Sequence, residues 1–146
     1  MRRTLEDLLA EAGARIERLS AHEAARAAEE GALLIDIRSQ DDRVRDGVVP
    51  GALHIPRTVL EWRLDPDGAW RNPHVDGLDR RIVLLCDHGC SSVLAAATLV
   101  DLGYTQAGDV VGGFRAWREA GLPVADARPE RRAADEPAGM GPPDPG

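Results

Sequence analysis

The sequence predicts an α/β domain built on a mainly parallel sheet, and three features carry that reading. Leu33-Leu34-Ile35-Asp36-Ile37 and Ile82-Val83-Leu84-Leu85 are continuous apolar runs of strand length, the pattern of strands buried on both faces. Segments with helical signals alternate with such runs, and this alternation implies parallel pairing with right-handed crossovers. A length of 146 residues suits one domain with one hydrophobic core.

The elements follow in order. Leu5, Leu8, Leu9 and Ala12 share one face of a short amphipathic helix from about Thr4, with Gly13 as its expected end. A short strand is expected from Ile16 to Leu19. Ser20, with Glu23 three places on, is a capping-box signature for a helix through Ala28 that Gly31 stops. After the first apolar run come a polar helix from Gln40 to Asp46 and a turn at Pro50-Gly51. A short strand from Ala52 to Ile55 then leads to a helical stretch from Thr58 to Leu64. Asp65-Pro66-Asp67-Gly68 marks a turn. Beyond the second apolar run, Ser92 to Leu102 reads as an apolar helix ended by Gly103. Asp109-Val110-Val111 reads as the last strand, and Gly112-Gly113 opens a helix through Ala120. From Asp126 the chain turns to Pro, Gly, Ala and charge, with little to bury, and is expected to be disordered. The expected organisation is a helical extension over 1–14, a domain over 15–125 and a tail over 126–146.

Composition narrows the function. The net charge of −7 argues against a nucleic-acid partner, since phosphate binding calls for a positive face. Every one of the 18 basic residues is arginine. Met1-Arg2-Arg3 is followed by Thr4-Leu5-Glu6-Asp7 rather than an apolar leader, and no run approaches membrane-spanning length. The expectation is a cytoplasmic protein with no membrane partner. Two cysteines, Cys86 and Cys90, make no disulfide framework and are expected to be free thiols.

The chemistry concentrates in the stretch after the second apolar run, Cys86-Asp87-His88-Gly89-Cys90-Ser91-Ser92. A buried strand, a tight loop opening on cysteine and a helix follow one another, and ligands of open parallel sheets bind at the carboxyl ends of strands. Amides of His88 to Ser92 at the start of a helix can converge on the sulfur and favour its thiolate, the nucleophilic form. Gly89 fits a position of positive φ or close approach.

This loop resembles the active-site loop of rhodanese-like sulfurtransferases, whose pattern is Cys-x-x-Gly-x-(Arg, Ser or Thr)-(Ser or Ala). Two further stretches resemble the family in the same order and spacing. One is Ile35-Asp36-Ile37-Arg38 with Val49-Pro50-Gly51-Ala52-Leu53-His54-Ile55-Pro56; the other is Asp109 to Trp117, followed by Gly121-Leu122-Pro123-Val124. The resemblance covers about Ile16 to Val124. It implies a rhodanese-like α/β fold with a five-stranded, mainly parallel sheet flanked by helices on both faces. It also implies a sulfurtransferase without metal or organic cofactor. Cys86 would take sulfane sulfur from thiosulfate or a persulfide, and pass it to a thiol, a protein acceptor or cyanide.

Other residues take roles beside Cys86. Asp87 places a carboxylate next to the nucleophile, which disfavours an anionic donor by one to a few kcal/mol (on the order of) and points to a persulfide rather than thiosulfate. His88 could offset Asp87 if protonated, but is expected rather to be a solvent-facing loop histidine. Ser91 stands where many relatives carry arginine, so Arg57 and Arg63 are candidate substrate cations, although each also reads as part of a solvated helix face. Cys90 is either a resolving thiol or incidental. Asp36 and Arg38 are expected to anchor loops through an ion pair, and Gly112 and Gly113 to let backbone pass close to the Cys86 loop. A cysteine-dependent phosphatase would need Cys-x5-Arg, and that position here is Ser92. A zinc site on Cys86, His88 and Cys90 lacks further ligands, and a thioredoxin-type motif would need Cys-x-x-Cys. The alternative function is a binding or regulatory module of the same fold without turnover.

Overall fold

The computed structural model describes residues 2–127. The predicted tail therefore lies outside the described residues except for its first two positions. Helix α1 (Leu5–Arg15) is followed by β1 (Glu17–Leu19), α2 (Ala21–Glu29), β2 (Leu33–Asp36), α3 (Gln40–Asp46) and β3 (Leu53–His54). A 3-10 turn (Arg57–Val59) runs into α4 (Leu60–Leu64), and then come β4 (Ile82–Leu85), α5 (Ser91–Asp101), β5 (Ala107–Val110) and α6 (Gly113–Glu119).

Local chemistry accounts for the helix starts. Ser20 Oγ accepts the Glu23 N–H at 3.1 Å, and Glu23 Oε1 accepts the Ser20 N–H at 2.9 Å, the capping box read from the sequence. Thr4 and Asp7 form a second box on α1. The first helix corrects an expectation, because it runs through Gly13 to Arg15. Gly13 keeps negative φ, and Ala12 next to it is buried with Val93 and Ala97 of α5. Packing against α5 holds the last turn in place where propensity alone would end it. The segment predicted as an extension is thus packed onto α5.

The five strands lie in the order β1-β5-β4-β2-β3, and all four pairings are parallel. The first and last apolar runs pair in register, Leu33 with Ile82 through Asp36 with Leu85. All four residues of β4 are buried, as a central parallel strand requires. Alternation along the strands divides the core in two. Ile35, Ile82 and Leu84 face α4 and α5 with Leu60, Leu64 and Leu99. Leu34, Val83 and Leu85 face α2 and α6 with Ala24, Phe114 and Trp117. After β2 the chain steps to one side of the sheet, and after β4 to the other. The carboxyl end of β4 is therefore at the topological switch point, where open α/β sheets bind ligands. Cys86 is the next residue.

Candidate active site

Two backbone loops meet around Cys86. Gly89 (φ +82°) turns the Cys86 loop back on itself, and Gly113 (φ +62°) opens α6 against it. A Cβ on Gly89 would lie 2.5 Å from the Gly112 nitrogen, and one on Gly113 would lie 2.4 Å from the Cys86 carbonyl oxygen. Neither position has room for any side chain. The contact is bonded as well as close: Phe114 N–H donates to the Cys86 carbonyl at 2.7 Å and Arg115 N–H to the Asp87 carbonyl at 3.1 Å. These bonds fix the loop height without a side chain between.

The sulfur is held from below. Cys86 is 5% exposed, and its Sγ accepts the Gly89 N–H at 3.0 Å and lies 3.2 Å from Ser92 Oγ. Burial pushes the Cys86 thiol up. Hydrogen bonds from Ser92 (hydroxyl and N–H), the Ser91 hydroxyl and the Gly89 N–H outweigh burial and hold it below its ordinary value. These donors favour the anionic form of the sulfur over the thiol.

The predicted residues divide by what the structure gives them. Cys86, Gly89, Ser91 and Ser92 converge on the sulfur. His88 Nε2 lies 3.1 Å from Asp87 Oδ2, so the histidine expected to face solvent, though half exposed, also partners the awkward carboxylate. Cys90 is exposed at the start of α5, with Cys86 buried behind it. Asp36 and Arg38 are both buried in an ion pair of 2.8 Å, and Arg38 also donates to the Gly47 carbonyl at 2.8 Å. Its guanidinium lies 3.9 Å from the Phe114 ring centroid. Of the two candidate cations, Arg57 matches the solvated-face reading and Arg63 does not. Arg63 is 2% exposed and donates to the Trp70 carbonyl at 2.8 Å, so it does not belong to a solvated face. Arg57 is spent on Glu61 at 2.9 Å, one helical turn away.

A cation that reaches the Cys86 loop comes from a residue that the sequence reading did not single out. Arg18 on β1 donates from Nε to Asp109 Oδ1 at 2.9 Å and from Nη2 to Asp109 Oδ2 at 3.2 Å and the Gly89 carbonyl at 3.1 Å. Asp109 on β5 is fully buried and accepts the Ser92 hydroxyl at 2.7 Å. A signal existed: a charged residue inside a strand of this sheet needs a partner. The register places Arg18 directly beside Asp109, although 91 residues separate them in sequence.

The family model for the rhodanese-like domain matches residues 20–120. The chain belongs to the rhodanese-like family. It is 32% identical over 98 residues to the thiosulfate sulfurtransferase GlpE of Actinobacillus succinogenes, covering 67% of this chain and 79% of that one. The structure resembles RPA3614 of Rhodopseudomonas palustris, described as a protein of unknown function and possible tyrosine phosphatase. That match has a TM-score of 0.78 and 33% identity, over 85% of this chain and 96% of the other. The human single-domain sulfurtransferase TSTD1 matches with a TM-score of 0.59 and 30% identity, over 73% of this chain and 97% of that one. Among the described residues, no helix is long and apolar enough to cross a membrane.

Proposed function

We propose that this rhodanese-like protein is a sulfurtransferase that carries sulfur as a persulfide on Cys86. The observation that carries this is the sulfur itself: a buried thiol, held below its ordinary pKa, at the centre of a cradle of N–H and hydroxyl donors. The Cys86 thiolate attacks the outer sulfur of a donor. The donor S–S bond breaks, and its electron pair leaves with sulfite (from thiosulfate) or with a thiolate (from a persulfide). The new Cys86–S–S⁻ anion sits over the Gly89 N–H and the hydroxyls of Ser91 and Ser92. An acceptor thiolate or cyanide then attacks the outer sulfur and regenerates the Cys86 thiolate. No external oxidant or reductant is consumed.

The carboxylate of Asp87, paired with His88 on the rim, favours a persulfide over the dianion thiosulfate by simple repulsion. A phosphatase reading, prompted by the description of the R. palustris protein, meets the opposite problem. Ser92, where a phosphate-clamping arginine would stand, is bonded to a buried carboxylate. A phosphate dianion would face Asp109 there instead of a guanidinium. A binding module has no use for a thiol tuned in this way.

The deciding experiment is intact mass after exposure to thiosulfate and, separately, to a small-molecule persulfide. The expected result is a gain of one sulfur, removed by reductant and absent in Cys86→Ser, with the persulfide the better donor. No gain from either donor in wild type would rule out sulfur transfer and favour the binding module.

A further inference from the structure

The thiol, Ser92, Asp109 and Arg18 form one continuous chain of hydrogen bonds, and that chain holds an imbalance. Ser92 has one hydroxyl proton and two anionic claimants, the Cys86 thiolate 3.2 Å away on one side and the Asp109 carboxylate 2.7 Å away on the other. With Cys86 protonated there is no conflict: the thiol donates to Ser92, and Ser92 to Asp109. Once the sulfur is an anion, a hydroxyl that stays on Asp109 presents only lone pairs to it. Arg18 resolves the competition. Its Nε and Nη2 give Asp109 two donors of its own, one on each carboxylate oxygen, so the Ser92 proton can turn to the sulfur without leaving Asp109 unpartnered.

We propose that Arg18 is a positioning residue for sulfur transfer: by satisfying the Asp109 carboxylate that competes for the Ser92 proton, it frees that proton for the sulfur anion, and it ties down the Gly89 carbonyl. The inference rests on the sulfurtransferase reading for its place in catalysis but not for its geometry. The second contact matters, because Arg18 Nη2 holds the carbonyl of the residue whose N–H reaches Cys86 Sγ. One guanidinium thus serves both donors. Arg18 carries out from β1 the task of the loop arginine that Ser91 replaces.

The other charges near the sulfur lie elsewhere. Asp87 is paired with His88 on the same loop, and Cys90 is exposed next to them. Arg115 belongs to α6, which packs on the loop through the backbone, and Asp36 and Arg38 are sealed on each other at the end of β2. Each of these stays constant when Arg18 or Asp109 is changed.

The test compares wild type, Arg18→Gln, Asp109→Asn and the double variant Arg18→Gln/Asp109→Asn. The readout is the pH dependence of Cys86 alkylation by iodoacetamide, read by peptide mass so that Cys90 does not contribute. Arg18→Gln leaves Asp109 ionised and competing for the proton. The alkylation midpoint should rise by about one pH unit, a tenfold loss of thiolate below it. The double variant removes the competing charge and should bring the midpoint back to within a few tenths of wild type. Loss of a structural brace alone would make the double variant no better than Arg18→Gln. An unmoved midpoint in Arg18→Gln, or no recovery in the double variant, overturns the proposal. Should Arg18→Gln fail to fold, Asp109→Asn alone decides, with a midpoint at or below wild type expected and a rise of one unit fatal. Sulfur loading is measured on the same samples. A wild type that alkylates as expected but accepts no sulfur would contradict the proposed function and leave the relay standing.

Discussion

Two arginine–aspartate pairs stand at the same end of the sheet, and they do opposite work. Asp36 and Arg38 belong to one strand end, two residues apart, and both are buried. Their hydrogen bonds go to fixed partners, the Arg38 N–H and the Gly47 carbonyl, and the Arg38 guanidinium lies over the Phe114 ring. Arg18 and Asp109 come from two strands, and only the aspartate is buried; the arginine side chain remains 36% exposed. Asp109 also touches a hydroxyl that has a choice of partner. A sealed pair fixes a loop, whereas an asymmetric pair leaves one proton free to move. Burial of charge is therefore a poor guide to function on its own, and what the buried carboxylate shares its donors with is a better one.

Breaking the sealed pair should have the largest effect. Arg38→Met leaves the Asp36 carboxylate buried without its main partner and should lower unfolding free energy by about 3–5 kcal/mol, measured by urea denaturation. A loss under about 1 kcal/mol would mean that Arg43, whose Nε lies 3.6 Å from Asp36, can replace it. Next comes the backbone contact that both pairs flank. Gly113→Ala adds a Cβ 2.4 Å from the Cys86 carbonyl at positive φ and should cost about 2–3 kcal/mol, with sulfur loading falling alongside. Stability lost with loading intact would show that loop height does not matter to the chemistry.

Ser92→Ala tests the shared hydroxyl. It should cost about 1–2 kcal/mol and raise the Cys86 alkylation midpoint, because the hydroxyl favours the thiolate. The sign for wild type follows from the same cause. The thiol is held below its ordinary value, so reactivity should set in at lower pH than for a free cysteine and fall as acid reprotonates the sulfur. Its midpoint should lie under the roughly 8.5 of a free cysteine; a midpoint above that would contradict the cradle. The smallest effect is expected from the exposed contrast to both pairs. Arg45 bonds Asp42 and Asp46 on the surface of α3, and Arg45→Gln should leave the melting temperature unchanged, since water replaces those bonds.

Most of this architecture was legible in the sequence because its signals are local. Ser20 with Glu23 announced α2, continuous apolar runs announced β2 and β4, and a cysteine between a buried strand and a helix announced the site. Gly13 misled because a glycine signals a helix end only when the chain needs positive φ, and contact with α5 removed that need. Arg57 and Arg63 looked like candidate cations by proximity in the chain, but one is neutralised within its own helix turn and the other is buried. Arg18 could not be found by proximity at all. Its place beside Cys86 depends on β1 joining the sheet next to β5, a pairing between the two ends of the domain.

That placement ties reactivity to the margin of the sheet. Strand β1 has three residues and, among the described residues, one neighbour, β5, and no strand beyond it. Edges of this kind open in small fluctuations long before a domain melts. A protein warmed toward its transition should therefore lose the guanidinium from Asp109 and the Gly89 carbonyl while the central strands hold, so that sulfur uptake declines at temperatures where circular dichroism still reports a native fold. Hydrogen exchange at Val111, whose N–H closes the pairing onto Leu19, would time that opening, and chemistry should fade in step with it.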